Sequence, residues 1–112
     1  MAKLLPPVTP GEILREEFMA PLGLSANGLA EKLGVPANRV SGILNGSRGI
    51  TADTALRLGR CFETSPEFWL NLQMHHDLEV TRKKSAKAIA RTVQPIPKEG
   101  RRKAAIAALT SY

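Results

Sequence analysis

Residues 25–46, SANGLAEKLGVPANRVSGILNG, decide the fold. Ser25 is an N-cap residue whose hydroxyl accepts a hydrogen bond from a backbone N–H of the first turn. Leu29, Ala30 and Leu33 follow at helical spacing, so one face of this first helix is apolar. Gly34 ends it, because the residue there must enter the left-handed region and glycine does so without steric cost. Pro36 opens a second helix, at a position where its missing N–H is no loss. Val40, Ile43 and Leu44 form the buried stripe of that helix. Two helices that cross steeply over so short a turn need a small residue where they touch, and Ala30 provides it.

A small residue, a glycine four positions later, and aliphatic residues six and nine positions after the glycine are a joint constraint, met by Ala30, Gly34, Val40 and Ile43. It is the helix-turn-helix pattern, whose second helix enters the major groove of DNA. The competing structural reading is an αα-hairpin of a helical bundle that touches no nucleic acid. With Val40, Ile43 and Leu44 turned inward, Ala37, Asn38, Ser41, Gly42 and Asn45 point outward and Arg39 lies on the flank. Asn38 suits adenine, Ser41 can donate or accept, and Gly42 leaves room for close approach. Arg39 and Arg48 suit phosphates, Arg39 alternatively a guanine, while the Ser25 helix terminus and Asn45 are further phosphate donors. The competing reading of each polar residue is a solvated helix face.

Outward from the motif, Thr9-Pro10-Gly11-Glu12 is a helix start, with Thr9 as cap, proline at the first position and Glu three after the cap. Ile13, Leu14 and Phe18 give that helix its apolar face, and it is expected to end near Ala20, with Pro21 to Leu24 as a connection. Residues 45–50 are a loop rich in turn formers. Thr51 caps a fourth helix with Ala55, Leu56, Leu58, Gly59 and Phe62 facing inward, and Ser65-Pro66-Glu67 starts a fifth with Phe68, Trp69, Leu72 and Leu78 on its apolar side. Phe68, Trp69 and Leu72 are candidates for a subunit interface, where aromatics are favoured. Residues 1–8 read as an irregular lead-in.

The whole is an all-α chain of one domain: 112 residues leave room for one modest core, and strand-like alternation is rare. The domain is expected over 9–82, followed by a basic extension over 83–112 that Pro95, Pro97 and Gly100 interrupt. Residues 93–112 read as a tail, ordered only by a partner or a second subunit. The net charge of +6 hides an asymmetry. Residues 1–81 carry seven Lys or Arg against nine Asp or Glu, whereas residues 82–112 carry nine against Glu99 alone, a net +8. A slightly acidic body with a basic tail hints at an anionic partner, the other reading being a solvated basic face.

Several chemistries are excluded. Cys61 is the one cysteine, so no intramolecular disulfide forms, and its place in an apolar helical stripe suits a packed thiol. His75 and His76 are adjacent, so on a helix they diverge by about 100° and make a poor ligand pair; no metal or cofactor is expected. No nucleophile and base stand together, no glycine-rich phosphate loop is present, and no apolar run reaches membrane-spanning length. The expectation is a cytoplasmic, non-enzymatic protein.

The stretches PPVTPGEILREEFMAPLGLS, GVPANRVSGILNGSRGITADTALRLGRCF and TSPEFWLNLQ resemble the HigA-type antitoxins of HigB/HigA toxin–antitoxin modules, within the Xre (Cro/C1-like) helix-turn-helix family. The resemblance covers about residues 6–82. It implies a five-helix, lambda-repressor-like domain that forms a homodimer, binds a palindromic operator in double-stranded DNA, represses its own operon and neutralises a HigB-type toxin that cleaves messenger RNA. By position, Ser25, Asn38, Arg39, Ser41 and Asn45 would face DNA. The alternatives are a stand-alone Xre-type regulator without a toxin and a helix-turn-helix module used only for protein interaction. Two departures stand out: the tail after about Thr92 is longer and more basic than the family pattern, and Gly28 sits inside a helix at a cost of about 1 kcal/mol.

Overall fold

The computed structural model describes residues 8–110, so the expected lead-in over 1–7 and the last two residues of the tail lie outside the described residues. All regular structure among the described residues is helical: α1 (Pro10–Ile13), a π-helical turn (Leu14–Met19), α2 (Ala20–Leu22), α3 (Ala26–Leu33), α4 (Ala37–Asn45), α5 (Ala52–Phe62), α6 (Pro66–Thr92) and α7 (Lys98–Thr110). α1, the π turn and α2 follow without a break, so the described residues from Pro10 to Thr92 hold five helical stretches.

The chain divides into two compact units, residues 1–82 and 83–112. Caps set the boundaries inside the first. The Oγ1 of Thr9 accepts from the Glu12 N–H at 3.0 Å, the Oγ of Ser25 from the Gly28 N–H at 3.0 Å, and the Oγ1 of Thr51 from the Thr54 N–H at 3.4 Å. A β-carbon on Gly28 would stand 3.2 Å from the Ser25 hydroxyl, a tight approach, yet Glu12 and Thr54 carry one at the same place behind their own caps. Gly34 closes α3 at φ +69°, and the Val35 N–H bonds to the Ala30 carbonyl while the Gly34 N–H bonds to Glu31. That paired arrangement satisfies two carbonyls the helix end would leave orphaned.

Three expectations need correction here. The first helix does not stop at Ala20. In the π turn the Ala20 N–H reaches back to the Arg15 carbonyl, and this change of register admits Pro21 to a helix whose ordinary α geometry its ring would disturb. Gly23, at φ +64°, is the true stop. Pro36 is the cap of α4 rather than its first helical residue, with extended backbone at ψ 148°. Leu56 points to solvent, 61% exposed, because α5 buries Ala55, Leu58 and Gly59 and one residue's step turns the helix away from that face.

The core of the first unit joins Leu14, Met19, Leu29, Ala30, Leu33, Val40, Ile43, Ile50, Ala55, Leu58 and Trp69, with Cys61 packed against it. Trp69 is fully buried. Its ring lies 4.8 Å from Phe18 and 5.0 Å from Phe68, and its Nε1–H donates to the Thr64 hydroxyl at 2.8 Å. The expectation that Trp69 faces a second subunit therefore fails: the corner from Phe62 to Pro66 folds α6 back so that Phe18 and Phe62 cover the indole. Phe68 stays 37% exposed and Leu72 is half-buried. The corner turns at Glu63, at φ +56°, a left-handed position filled by a residue with a β-carbon.

α6 continues past Arg82 to Thr92, and α7 forms where a tail was expected; neither α7 nor the part of α6 beyond Trp69 has a buried residue. No helix among the described residues is long and apolar enough to cross a membrane.

Candidate nucleic-acid interface

α4 owes its orientation to both of its sides. Val40 and Ile43 lock it into the core, and its C-terminal end lies so close to α1 that a β-carbon on Gly11 would collide with the Ile43 carbonyl. What remains outward is a ridge of Ala37, Asn38, Ser41 and Asn45, all exposed. Asn38 has no side-chain hydrogen bond to another described residue, so its amide is free to meet a ligand. The Ser41 hydroxyl donates to the Ala37 carbonyl at 3.2 Å, which leaves its oxygen able to accept. Asn45 Oδ1 accepts from the Ser47 N–H at 2.9 Å and stiffens the start of the following loop. Ser25 is exposed at the head of α3, its hydroxyl oxygen engaged as the cap.

Gly42 is not on this ridge. It is buried, and Arg48 lies across it: a β-carbon on Gly42 would stand 3.1 Å from the Arg48 Cβ and 3.5 Å from its Nε. The loop folds back because the Arg48 N–H bonds to the Gly42 carbonyl at 3.1 Å, with the Ser47 hydroxyl on the same carbonyl at 3.4 Å. The expected open space for a base is thus a seat for an arginine stem, and Arg48 itself remains exposed beside the end of α4.

Arg39 is also placed differently from a free phosphate clamp. Its guanidinium meets Asp53 Oδ2 at 2.6 Å, and Arg57 reaches the same oxygen with Nε at 2.8 Å. Arg57 further donates to the Leu33 carbonyl at 2.9 Å, so one carboxylate ties the end of α3, the flank of α4 and the first turn of α5 together. The two guanidinium groups, Arg57 foremost, hold the Asp53 carboxyl below its ordinary value of 3.8. Sequence reading missed Asp53 and Arg57; the one signal available was their spacing of four, which suits an ion pair on a helix. It also missed Gln73 of α6, whose Oε1 accepts from the Ile50 N–H at 2.8 Å and fixes the far end of the loop.

Among the described residues no cluster of three or more His, Cys, Asp or Glu is arranged to hold a metal ion. The arrangement offers instead a rigid helix, polar on its outer face, with arginines at both flanks. Such a surface has the chemistry to meet base edges and backbone phosphates.

Comparison with known proteins gives the family and the fold. A family described as Helix-turn-helix matches residues 14–69. The antitoxin HigA-1 of Vibrio cholerae is 41% identical over 90 residues, which cover 80% of this chain and 84% of that protein. The structure of an addiction module antidote protein of a HigA family from Coxiella burnetii superposes with a TM-score of 0.77 at 54% identity, over 82% of this chain and all of that one. The Pseudomonas aeruginosa antitoxin HigA, solved with the higBA promoter, gives a TM-score of 0.77 at 43% identity, over 80% of this chain and 98% of its own.

Proposed function

The chain belongs to the helix-turn-helix family, and from that premise we propose how it works as a DNA-binding antitoxin and repressor rather than an enzyme. α4 is the recognition helix. Asn38 and Ser41 read base edges in the major groove, while Ser25, Asn45 and Arg48 hold phosphates on either side. Ala37 sits beside them, small enough for the helix to enter closely. Arg39, held by Asp53, contacts the backbone or a guanine from a fixed position. Gly42 does not face DNA and serves by seating Arg48.

Repression needs two such helices. A homodimer sets them in successive major grooves about 34 Å apart, so the operator is a palindrome. Phe68 and Leu72, two of the apolar residues that α6 leaves short of full burial, are the proposed subunit contacts. Occupying the operator of its own operon shuts down synthesis of both gene products, and binding a HigB-type toxin neutralises that partner. This activity belongs in the cytoplasm, where operator and toxin are found.

The observation that carries the reading is the exposed Asn38–Ser41–Asn45 ridge on a helix fixed by core residues, in a chain 43% identical to an antitoxin solved with a promoter. Footprinting the region upstream of the chain's own gene tests it. The expected result is protection of two half-sites one helical turn apart, and an unprotected region overturns the autorepressor. Co-expression with the neighbouring gene decides between antitoxin and stand-alone regulator: a stable complex with a small ribonuclease supports the first, and a partnerless repressor the second.

A further inference from the structure

Beyond Arg82 the first compact unit ends, but α6 runs on to Thr92 with a one-sided distribution of charge. Lys83, Lys87 and Arg91 recur every four residues, and Lys84 falls between the first two. At about 100° per residue, all four fall within an arc of about 100°. The remaining surface of the same stretch carries Ser85, Ala86, Ala88, Ile89, Ala90 and Thr92. None of the four cations is in an ion pair with another described residue, whereas the neighbouring Arg82 is held by Glu79 at 3.1 Å. The stripe is therefore sorted by helical phase, and no described carboxylate neutralises it.

We infer that this stripe is a second, sequence-independent contact surface for the backbone of double-stranded DNA. From Lys83 to Arg91 the helix rises about 12 Å, and a DNA strand presents a phosphate about every 3.4 Å of axis, so four cations face about as many phosphates. Duplex DNA fits better than single-stranded nucleic acid, because residues 82–110 contain no Phe, Tyr or Trp on which unpaired bases would stack. The stripe also lacks the Asn, Gln and Ser pattern of a base-reading helix. It adds affinity where the first unit, with a net charge of −1 over residues 1–82, supplies little. The homologous antidote structure matches over its full length and covers 82% of this chain, so part of this chain has no counterpart in that protein.

The inference rests on DNA binding by the same chain, and the test separates the two. The full-length protein and a Lys83→Gln, Lys84→Gln, Lys87→Gln, Arg91→Gln variant are titrated with operator duplex and with a scrambled duplex between about 50 and 200 mM salt. Glutamine keeps the helix, which circular dichroism verifies. The expected result is a slope of log K against log salt shallower by about 3 to 4 on both duplexes, from about 0.9 for each phosphate that the variant leaves unneutralised, with the operator preference retained. Equal slopes for the two proteins overturn the inference, and so does an effect confined to single-stranded RNA of the same length. If the unmodified protein fails to prefer operator over scrambled duplex, the α4 reading falls, while a shallower slope on scrambled DNA still supports the stripe.

Discussion

The two units of this chain use the same element in opposite ways. In residues 8–82 the helices pack around a common core, and the charge on the flank of α4 is paired: one carboxylate, Asp53, engages both Arg39 and Arg57, while Arg48 stays unpaired among the described residues. In residues 83–110 the helices bury nothing and carry eight Lys or Arg against Glu99 alone, without an ion pair among the described residues. Burial and pairing make a surface whose shape can discriminate. Unpaired charge on an unpacked helix makes a surface that attracts without discriminating. The division suits a regulator that must both find DNA and recognise one site on it.

The largest effect that should separate the units is on stability. Trp69→Ala removes the fully buried centre of the aromatic cluster and orphans the Thr64 hydroxyl, and is expected to cost about 3–5 kcal/mol. Ile106→Ala, on exposed α7, is expected to change the same quantity by less than about 0.5 kcal/mol. Chemical denaturation followed by circular dichroism checks both. Comparable losses from the two substitutions would erase the distinction between a packed unit and an unpacked one.

A smaller gain should come from the corner before α6. Glu63 holds a left-handed conformation that a β-carbon disfavours, so Glu63→Gly is expected to stabilise the first unit by about 0.5–1 kcal/mol. A loss of stability in the same denaturation experiment would mean that the glutamate side chain outweighs its backbone strain.

The finest test concerns charge pairing. Asp53→Asn removes the carboxylate that offsets Arg39 and Arg57 and makes the first unit resemble the second, so a phosphate contact of Arg39 should count in full and the salt dependence for scrambled DNA should steepen by at most about 0.9. The same carboxylate gives stability a sign with pH. Its folded value is depressed, so its contribution is complete above the unfolded carboxylate range and is lost as pH falls through the lower folded value. Wild type should thus lose a small advantage over Asp53→Asn only under acid conditions, seen by comparing their thermal midpoints across pH. An advantage that instead disappeared on going from neutral to alkaline pH would contradict the assignment.

What the sequence disclosed is what local chemistry controls. Thr9, Ser25 and Thr51 announce their helices because a cap is made within four residues, and Gly34 announces its stop because few residues tolerate its conformation. The ridge of Asn38, Ser41 and Asn45 follows from period alone once Val40 and Ile43 are assigned inward. The errors occur where a distant group decides. Gly42 sits on a face that periodicity leaves open, and only the return of the loop brings Arg48 over it. Arg39 meets Asp53 fourteen residues away across a helix boundary. Trp69 shows an apolar face without showing what covers it, and here Phe18 does. Pro21 reads as a break because the π turn that admits it has no reliable signature in sequence.

The central claim is that α4 recognises sequence through Asn38 and Ser41 while contributions elsewhere supply affinity. Titrating operator and scrambled duplexes with wild type and with Asn38→Ala, Ser41→Ala and the double variant tests it most directly. The account predicts that each substitution costs about 1–3 kcal/mol on operator, leaves scrambled DNA unaffected and does not alter the denaturation midpoint. Unchanged operator affinity in the double variant, with the fold intact, would contradict it.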